Sequence, residues 1–230
     1  MIYGFMHVYQ VNHWKSIVNE QIQKMINSNL FTWMEKLYIG VNGDTRINFY
    51  RDLNDKIEVL YQVMYPELYE AMTLSFLRIF CQNLCDNDYV FYVHTKGVSR
   101  TPEKQNYADW RHLMEHFVIE RYQKCIDELE NGSDIVGVNW HLGEGYQSAT
   151  AAKCGGTPVT PHFSGNFWWA AAGYIKTLPA LYPMISKYDC EFWHGLADPL
   201  VSELWNSGVR HHKHGYHEDS YKGKLNVKYH

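Results

Sequence analysis

Short apolar runs alternate with amphipathic helical patterns along most of this chain of 230 residues, and that alternation limits the possible folds. The runs with strand character are 2–9, 37–44, 56–63, 88–95 and 133–140, and the helical patterns are 14–31, 66–84 and 107–130. Residues 162–179 read as a strand that continues into a helix. Such alternation predicts an α/β fold over residues 1–208, a single domain with a mainly parallel central sheet and helices on both faces.

Composition and charge exclude several classes of protein. A hydrophobic share of 46% and a charged share of 20% are those of an ordinary folded domain. The net charge of −4 offers no basic surface, so we expect no nucleic-acid partner. The five cysteines form no Cys-x-x-Cys pair, which favours reduced thiols. With no basic leader and no apolar run near the roughly 18 residues of a membrane span, a cytoplasmic protein without a transmembrane segment is expected.

The segment 86–97, DNDYVFYVHTKG, carries polar residues at both ends of one predicted strand. In parallel sheets, ligands bind at the carboxyl ends of the strands. Asp86 and Asp88 precede the strand, so we interpret them as turn residues. The functional end is therefore HTKG, which follows the strand and comprises His94, Thr95, Lys96 and Gly97. The Lys96 charge and the neighbouring donors suit an anionic group such as a pyrophosphate.

Other polar clusters are predicted to converge on the same edge of the sheet. They are Val8, Tyr9, Gln10 and Asn12 after the first strand, Asn42, Gly43 and Asp44 after the second, and Ser164, Gly165 and Asn166 before two tryptophans. Several polar loops that meet at one edge are stronger evidence of a binding site than any one of them alone.

An ordered set of motifs resembles a group of nucleotide-sugar glycosyltransferases found in bacterial and large-virus polysaccharide clusters. The set is VFYVHTKG, then Trp110-Arg111, then HFSGNFWWAAAGYIKTLP, then Glu191-Phe192-Trp193. It is similar to the rhamnan synthesis protein F family and covers roughly residues 70–195. The resemblance implies a GT-A-like fold, in which one Rossmann-like domain binds a nucleoside diphosphate sugar with UDP, GDP or TDP as the nucleotide. It also implies a glycan acceptor as the second substrate.

The resemblance implies roles for individual residues. His94, Thr95 and Lys96 would stand where most GT-A enzymes carry Asp-X-Asp. The set assigned to the nucleotide and diphosphate is Val8, Tyr9, Asn12, Asn42, Asp44, His94, Thr95, Lys96, Gly97 and Arg111. The donor sugar would be lined by Ser164, Gly165 and Asn166, with Trp168 or Trp169 behind it. Because the strand end has no acidic pair, a Mn²⁺ or Mg²⁺ ion is not assumed, and Lys96 would supply the positive charge on the leaving diphosphate.

Inverting glycosyl transfer also needs a carboxylate that takes a proton from the acceptor hydroxyl. Glu191 is the first candidate for this base because it begins a predicted helix after the donor-sugar segment, and Asp198 and Asp189 are its rivals. The alternative for Glu191 is a structural role at a helix N-terminus, where a carboxylate is favoured. Arg111 could reach a phosphate or pair with Glu115 one helical turn later.

The last predicted segment is a histidine-rich tail over residues 209–230, with His211, His212, His214 and His217. We expect it to be solvated, and the alternatives are a metal site or a segment that reaches back over a diphosphate, as C-terminal segments do in some GT-A enzymes. Two other functions stay open: a carbohydrate-binding module without catalysis, which the 16% aromatic share suits, and a metal-dependent hydrolase built on the tail. The chain could also be one domain of a larger glycan-assembly protein.

Overall fold

A computed structural model describes residues 1–46, 55–142, 154, 157, 159–184, 186–209 and 214–230. Its main sheet has eight strands in the order β10-β9-β5-β8-β4-β1-β2-β3. These strands are β1 (Ile2–Tyr9), β2 (Lys36–Asn42), β3 (Ile57–Val63), β4 (Tyr89–His94), β5 (Ile135–Val138), β8 (Trp168–Ala171), β9 (Val201–Trp205) and β10 (Lys228–Tyr229). A second sheet pairs β6 (Trp140–His141) with β7 (His162–Phe163).

The helices lie in the segments with helical spacing, except for the last one, in which Glu191 is the fourth residue and not the first as expected. They are α1 (Trp14–Asn27), α2 (Leu30–Trp33), α3 (Ala71–Cys81), α4 (Gln105–Glu115), α5 (Tyr122–Glu130), α6 (Ala172–Thr177) and α7 (Tyr188–Phe192). A π-helical turn, His116–Glu120, joins α4 to α5. The single long helix predicted over 107–130 is therefore two helices joined by this turn. In the described part of the chain, no helix has the length and hydropathy that crossing a membrane requires.

Strand directions confirm the expected α/β fold with a mostly parallel sheet. The pairs β1–β2, β1–β4, β2–β3 and β5–β9 are parallel. Strand β8 lies between β4 and β5 and runs antiparallel to both, and β10 runs antiparallel to β9. The sheet is therefore mixed, and its architecture is consistent with a Rossmann-like fold.

Both faces of the sheet are covered, as the near-continuous apolar strands predict. Successive strand residues point to opposite faces, so Phe5 packs with α3 and α6 while Met6 packs with α1, α4 and α5. Trp168 and Trp169 separate in the same way, and both are completely buried. Burying a large apolar side chain contributes roughly 1.5–3 kcal/mol to the stability of the fold. The two adjacent tryptophans therefore stabilise the packing of the helices on both faces of the sheet.

The acidic residues before β4 have a structural role, as interpreted from their position. The Asp88 carboxylate accepts hydrogen bonds from the amino group of Met1 at 2.7 Å and from the backbone N–H of Cys85 at 2.9 Å. Asp86 forms an ion pair with Lys176 at 2.7 Å. These contacts fix the entry to β4 at the edge of the sheet opposite to HTKG.

Most of residues 214–230 are exposed, as expected for a solvated tail, but the segment also contacts the core and the main sheet. Tyr216 and Tyr221 are buried against the core on the α4–α5 side, and Lys228–Tyr229 forms the terminal strand of the main sheet. The two tyrosine rings thus attach a largely exposed segment to the core. His214 and His217 stay exposed, and His211 and His212 lie outside the described residues.

Candidate functional site

A cleft of about 670 Å³ opens at the carboxyl edge of the sheet, where β1, β2 and β4 end in Tyr9, Asn42 and His94. This volume is typical of sites for small molecules. Its lining is His7, Tyr9, Asn42, Pro66, Glu67, Tyr69, Glu70, His94, Thr95, Lys96, Gly97, Val98, Ser99, Arg100, Tyr107, Trp110, Lys187, Tyr188 and Glu191. The cleft therefore lies where parallel sheets place their ligands.

The predicted residues that line this cleft are Tyr9, Asn42, His94, Thr95, Lys96, Gly97 and Glu191. Two of them also hold the loops together. The Thr95 hydroxyl accepts a hydrogen bond from the backbone N–H of Tyr9 at 3.0 Å, which ties the end of β1 to the end of β4. The Asn42 amide donates to the carbonyl of Tyr65 at 2.8 Å and accepts from its N–H at 3.2 Å. Their polar groups thus fix the loops that form the cleft.

The antiparallel direction of β8 brings the segment Ser164–Asn166 to the same edge. Nε2 of His94 lies 2.9 Å from the carbonyl oxygen of Gly165. Gly165 has φ +100°, and a β-carbon there would collide with Met114. Asn166 donates to Glu70 Oε2 at 2.6 Å and accepts from the Trp168 indole at 2.8 Å. The segment therefore supports the floor of the cleft from behind.

Trp168 does not line the cleft, which corrects its assignment to the donor sugar. Its ring is fully buried between Tyr92 and His194, with centroid distances of 5.5 and 5.6 Å. Trp169 is equally buried and donates to the carbonyl of Val118 at 2.8 Å. Because β8 is an interior strand with both faces covered, neither ring of the pair is free to contact a ligand.

Several other predicted residues also lie outside the cleft lining. Val8 belongs to the core, and the Asn12 amide donates to the carbonyl of Val98 at 2.8 Å. Asp44 is exposed in the turn after β2, where it accepts a hydrogen bond from Thr45 at 3.3 Å. Asp198, with φ +51°, is exposed on the surface away from the cleft lining.

Asp189, the other rival base, holds its own loop. One carboxylate oxygen accepts from the backbone N–H of Ser186 at 2.7 Å, and the other accepts from the Thr157 hydroxyl at 3.3 Å. Glu191 is therefore the one of the three proposed bases that lines the cleft. Burial alone would raise the pKa of the Glu191 carboxyl, but the charges of Lys96 and Lys187 hold this pKa below its ordinary value. Glu191 is ionised at neutral pH.

Glu70 is a cleft residue that the sequence interpretation missed. It immediately precedes α3, and its Oε2 accepts hydrogen bonds from Tyr92 at 3.0 Å and from Asn166 at 2.6 Å. Its Oε1 lies 3.3 Å from Nδ1 of His94. Burial raises the pKa of the Glu70 carboxyl above its ordinary value. Glu70 and Glu191 therefore have pKa values displaced in opposite directions, a pattern typical of acid and base pairs in active sites.

His7 was also missed, because within an apolar strand pattern it resembles a core residue. It lines the cleft, and its Nδ1 lies 2.9 Å from the hydroxyl of Thr73, which contacts the hydroxyl of Tyr61 at 2.5 Å. Burial lowers the pKa of His7 to about 4, so its imidazole is neutral. The floor of the cleft is thus polar and carries two buried histidines, His7 and His94.

Three cations line the walls of the cleft, each against an aromatic ring. Cation-to-centroid distances are 4.3 Å for Lys96 and Trp110, 5.3 Å for Arg100 and Tyr107, and 4.9 Å for Lys187 and Tyr188. An aromatic face holds a cation without neutralising it. The walls therefore offer positive charge to an anionic ligand and flat surface to a ring.

Two roles were predicted for Arg111, a contact with phosphate or an ion pair with Glu115, and in the structure it forms the ion pair. It is 3% exposed and pairs with Glu103 at 2.6 Å and with Glu115 at 3.6 Å. It also donates to the carbonyl of Lys96 at 3.1 Å. Arg111 is absent from the cleft lining, so its contribution to the site is to hold the loop that carries Lys96.

Glu115 is the centre of this supporting network and is wholly buried. Its Oε1 accepts from Gln21 at 3.0 Å, and its Oε2 pairs with the Lys24 ammonium at 2.6 Å. Gln21 also donates to the carbonyl of His94 at 3.0 Å. Gln21 and Arg111 therefore connect one buried carboxylate to the backbone on both sides of Thr95.

The described residues that have metal-ligand spacing lie outside the cleft and already hold an ammonium. Among the described residues, one cluster has metal-ligand spacing, formed by Glu20, His112 and Glu115. Lys24 reaches into it, at 2.9 Å from Glu20 and 2.6 Å from Glu115, so an ammonium already balances the carboxylates. In the cleft, Oε2 of Glu70 already accepts two hydrogen bonds.

Comparison with known proteins identifies a family but no activity. No curated protein matches the chain. A solved structure with similarity to it is the crystal structure of HddC from Yersinia pseudotuberculosis, with 10% identity and a TM-score of 0.43 over 90% of this chain and 91% of that one. The family model described as a domain of unknown function, DUF8361, matches residues 5–188. The chain belongs to the DUF8361 family.

Proposed function

We propose that this protein is a glycosyltransferase of GT-A-like architecture that transfers a sugar from a nucleoside diphosphate donor to a glycan acceptor. The observation that carries the proposal is the composition of the cleft. Three cations on aromatic rings and an ionised carboxylate, Glu191, line one cleft at the carboxyl edge of a mostly parallel sheet. Of the ordered motifs of the resemblance, His94–Gly97, Trp110 and Glu191 line this cleft, and Gly165 and Arg111 lie directly behind it.

The cations suit the leaving diphosphate. Lys96 and Arg100 belong to the loop after β4, and Lys187 precedes α7 on the other wall. Preorganised positive charge stabilises the negative charge that develops on a leaving group, and it is stronger in a site shielded from water. Lys96 therefore takes the role that a metal ion has in other enzymes of this type.

The aromatic walls and the carboxylates suit the remaining parts of the reaction. Tyr9 and Tyr107 offer rings at the β1 and α4 sides of the cleft, where a nucleotide base could stack. Glu191, ionised at neutral pH, would accept the proton of the attacking acceptor hydroxyl. This reaction forms a bond from the acceptor oxygen to the anomeric carbon and releases the nucleoside diphosphate.

The test is release of nucleoside diphosphate from UDP-, GDP- and TDP-sugars in the presence of oligosaccharide acceptors. We expect one donor class to be turned over, with loss of at least about tenfold in Lys96→Ala, equivalent to about 1.4 kcal/mol of transition-state stabilisation. Lys36→Ala is the matched control, because Lys36 begins β2 at the opposite edge of the sheet. Glycan binding with no turnover of any donor would instead favour a carbohydrate-binding module.

A further inference from the structure

The hydrogen bonds of His94 determine where its protons lie. Nε2 is 2.9 Å from the Gly165 carbonyl oxygen, which can only accept, so Nε2 carries a hydrogen. In a neutral imidazole, Nδ1 then has a lone pair and no hydrogen. The Nδ1 atom lies 3.3 Å from Oε1 of Glu70. Two acceptors at that distance repel each other unless a hydrogen lies between them.

The other oxygen of Glu70 is already engaged by two donors. Oε2 already accepts from the Tyr92 hydroxyl at 3.0 Å and from the Asn166 amide at 2.6 Å. An acid hydrogen on Oε2 would compete with these two donors. One hydrogen shared between Glu70 Oε1 and His94 Nδ1, two residues that line the cleft, would remove this repulsion.

We propose that Glu70 and His94 share one proton and that this proton keeps the cleft positive enough to bind a diphosphate. The second half of the proposal rests on the proposed function, and the first half does not. With the pair neutral, the charged lining groups are three cations, Lys96, Arg100 and Lys187, against two carboxylates, Glu67 and Glu191. Loss of the shared proton adds a third carboxylate and removes the excess of positive charge.

The surroundings of the pair favour keeping the proton. Burial raises the pKa of Glu70 and lowers the pKa of His94 to about 3, so an acid beside a neutral imidazole is the stable arrangement. The titratable or charged groups that face the pair come from four elements. They are His7 on β1, Tyr92 on β4, Lys96 after β4, and Cys190 and Glu191 on α7. Of these, His7, Lys96 and the hydrogen bond from Tyr92 lower the pKa of Glu70 and so oppose retention of the proton, and the Glu191 carboxylate favours it.

The proton itself can be observed without any ligand. Infrared difference spectra of the wild type against Glu70→Gln should show a protonated carboxyl at pH 7, and the His94 ring should show a hydrogen-bonded Nδ1 by ¹⁵N NMR. An imidazolium at His94 beside an ionised Glu70 would equally show one shared proton. An ionised Glu70 beside a neutral His94 with a bare Nδ1 would overturn the proposal, whether or not the protein binds nucleotides.

The consequence for binding is tested with UDP-glucose, whose diphosphate diester keeps a constant charge between pH 6 and 9. We expect the dissociation constant of the wild type to rise by up to about tenfold per pH unit once the pair titrates, as one linked proton requires. Glu70→Gln mimics the protonated acid, since its amide can donate to Nδ1 and accept from Tyr92 and Asn166. This variant should bind with a constant affinity over the range.

Glu191→Gln is the matched control, because it changes another carboxylate in the same cleft. It should alter the affinity at every pH while leaving the pH dependence in place. If Glu191→Gln abolishes the pH dependence and Glu70→Gln preserves it, the shared proton does not govern binding. If UDP-glucose fails to bind while the spectra show the shared proton, the proposed donor is wrong and the proton pair stands.

Discussion

Replacement of Glu115 by alanine tests the idea that a buried charge network positions the HTKG loop. Glu115 is wholly buried, and its carboxylate pairs with Lys24 at 2.6 Å and accepts from Gln21 at 3.0 Å. Burial would lower the pKa of Lys24, but the Glu115 carboxylate holds it above its ordinary value. Glu115→Ala therefore leaves a buried ammonium without its nearest counter-charge.

The expected loss of stability in Glu115→Ala depends on the ion-pair partners that Lys24 and Arg111 keep. Removing one member of a buried ion pair costs about 3–5 kcal/mol. Lys24 keeps Glu20 at 2.9 Å, and Arg111 keeps Glu103 at 2.6 Å, so we expect the lower end, about 3 kcal/mol. For a chain of this length, that lowers the melting temperature by about 6–12 °C.

The assay is urea unfolding of the wild type, Glu115→Ala and Asp127→Ala. Asp127 pairs with Lys124 at 2.7 Å on the surface, so its replacement should change the free energy of unfolding by less than about 1 kcal/mol. Equal m-values would show that stability alone has changed. A cost below about 1 kcal/mol for Glu115→Ala, or equal costs for the two variants, would refute the reasoning.

Three further predictions concern stability. Gly165→Ala should lower the free energy of unfolding in urea by about 2–3 kcal/mol, because Gly165 has φ +100° and an added β-carbon would collide with Met114. Gly132→Ala is the control, since Gly132 has φ +102° but open space around it, and it should cost only about 1–2 kcal/mol of backbone strain. Tyr221→Ala should cost about 3 kcal/mol by thermal unfolding, because the ring is 1% exposed within the core; a change below about 1 kcal/mol would contradict its packing role. Burial raises the Glu70 pKa above 4.5, so the folded protein holds a proton that the unfolded chain has released, and stability falls as pH rises through the folded pKa. The stability of Glu70→Gln should not fall with pH in this way. Equal pH profiles of unfolding for the wild type and Glu70→Gln would contradict the prediction.

The position of the cleft was predictable because it depends on local order along the chain. His94, Thr95, Lys96 and Gly97 follow an apolar run, and the direction of a parallel strand decides which end faces the ligand. The same reasoning separated Asp86 and Asp88 from the site.

The rest of the site depends on contacts between distant segments, which local patterns do not encode. Glu70 reaches His94 only because α3 begins beside the end of β4, and Glu70 belongs to no motif. Trp168 looked like a sugar platform, but the insertion of β8 between two other strands buried it. Tyr221 brings the expected tail onto the core, although the surrounding composition is polar.

The most direct measurement of the central claim is a thermal-shift titration with UDP, GDP, TDP and CMP, each with Mn²⁺ and with a chelator. A ligand at about 100 times its dissociation constant stabilises the folded protein by about 2.7 kcal/mol. The account predicts a shift with one nucleoside diphosphate that survives chelation and disappears in Lys96→Ala. A shift that requires Mn²⁺ would contradict the metal-free role of Lys96, and the absence of a shift with every nucleotide would contradict the transferase itself.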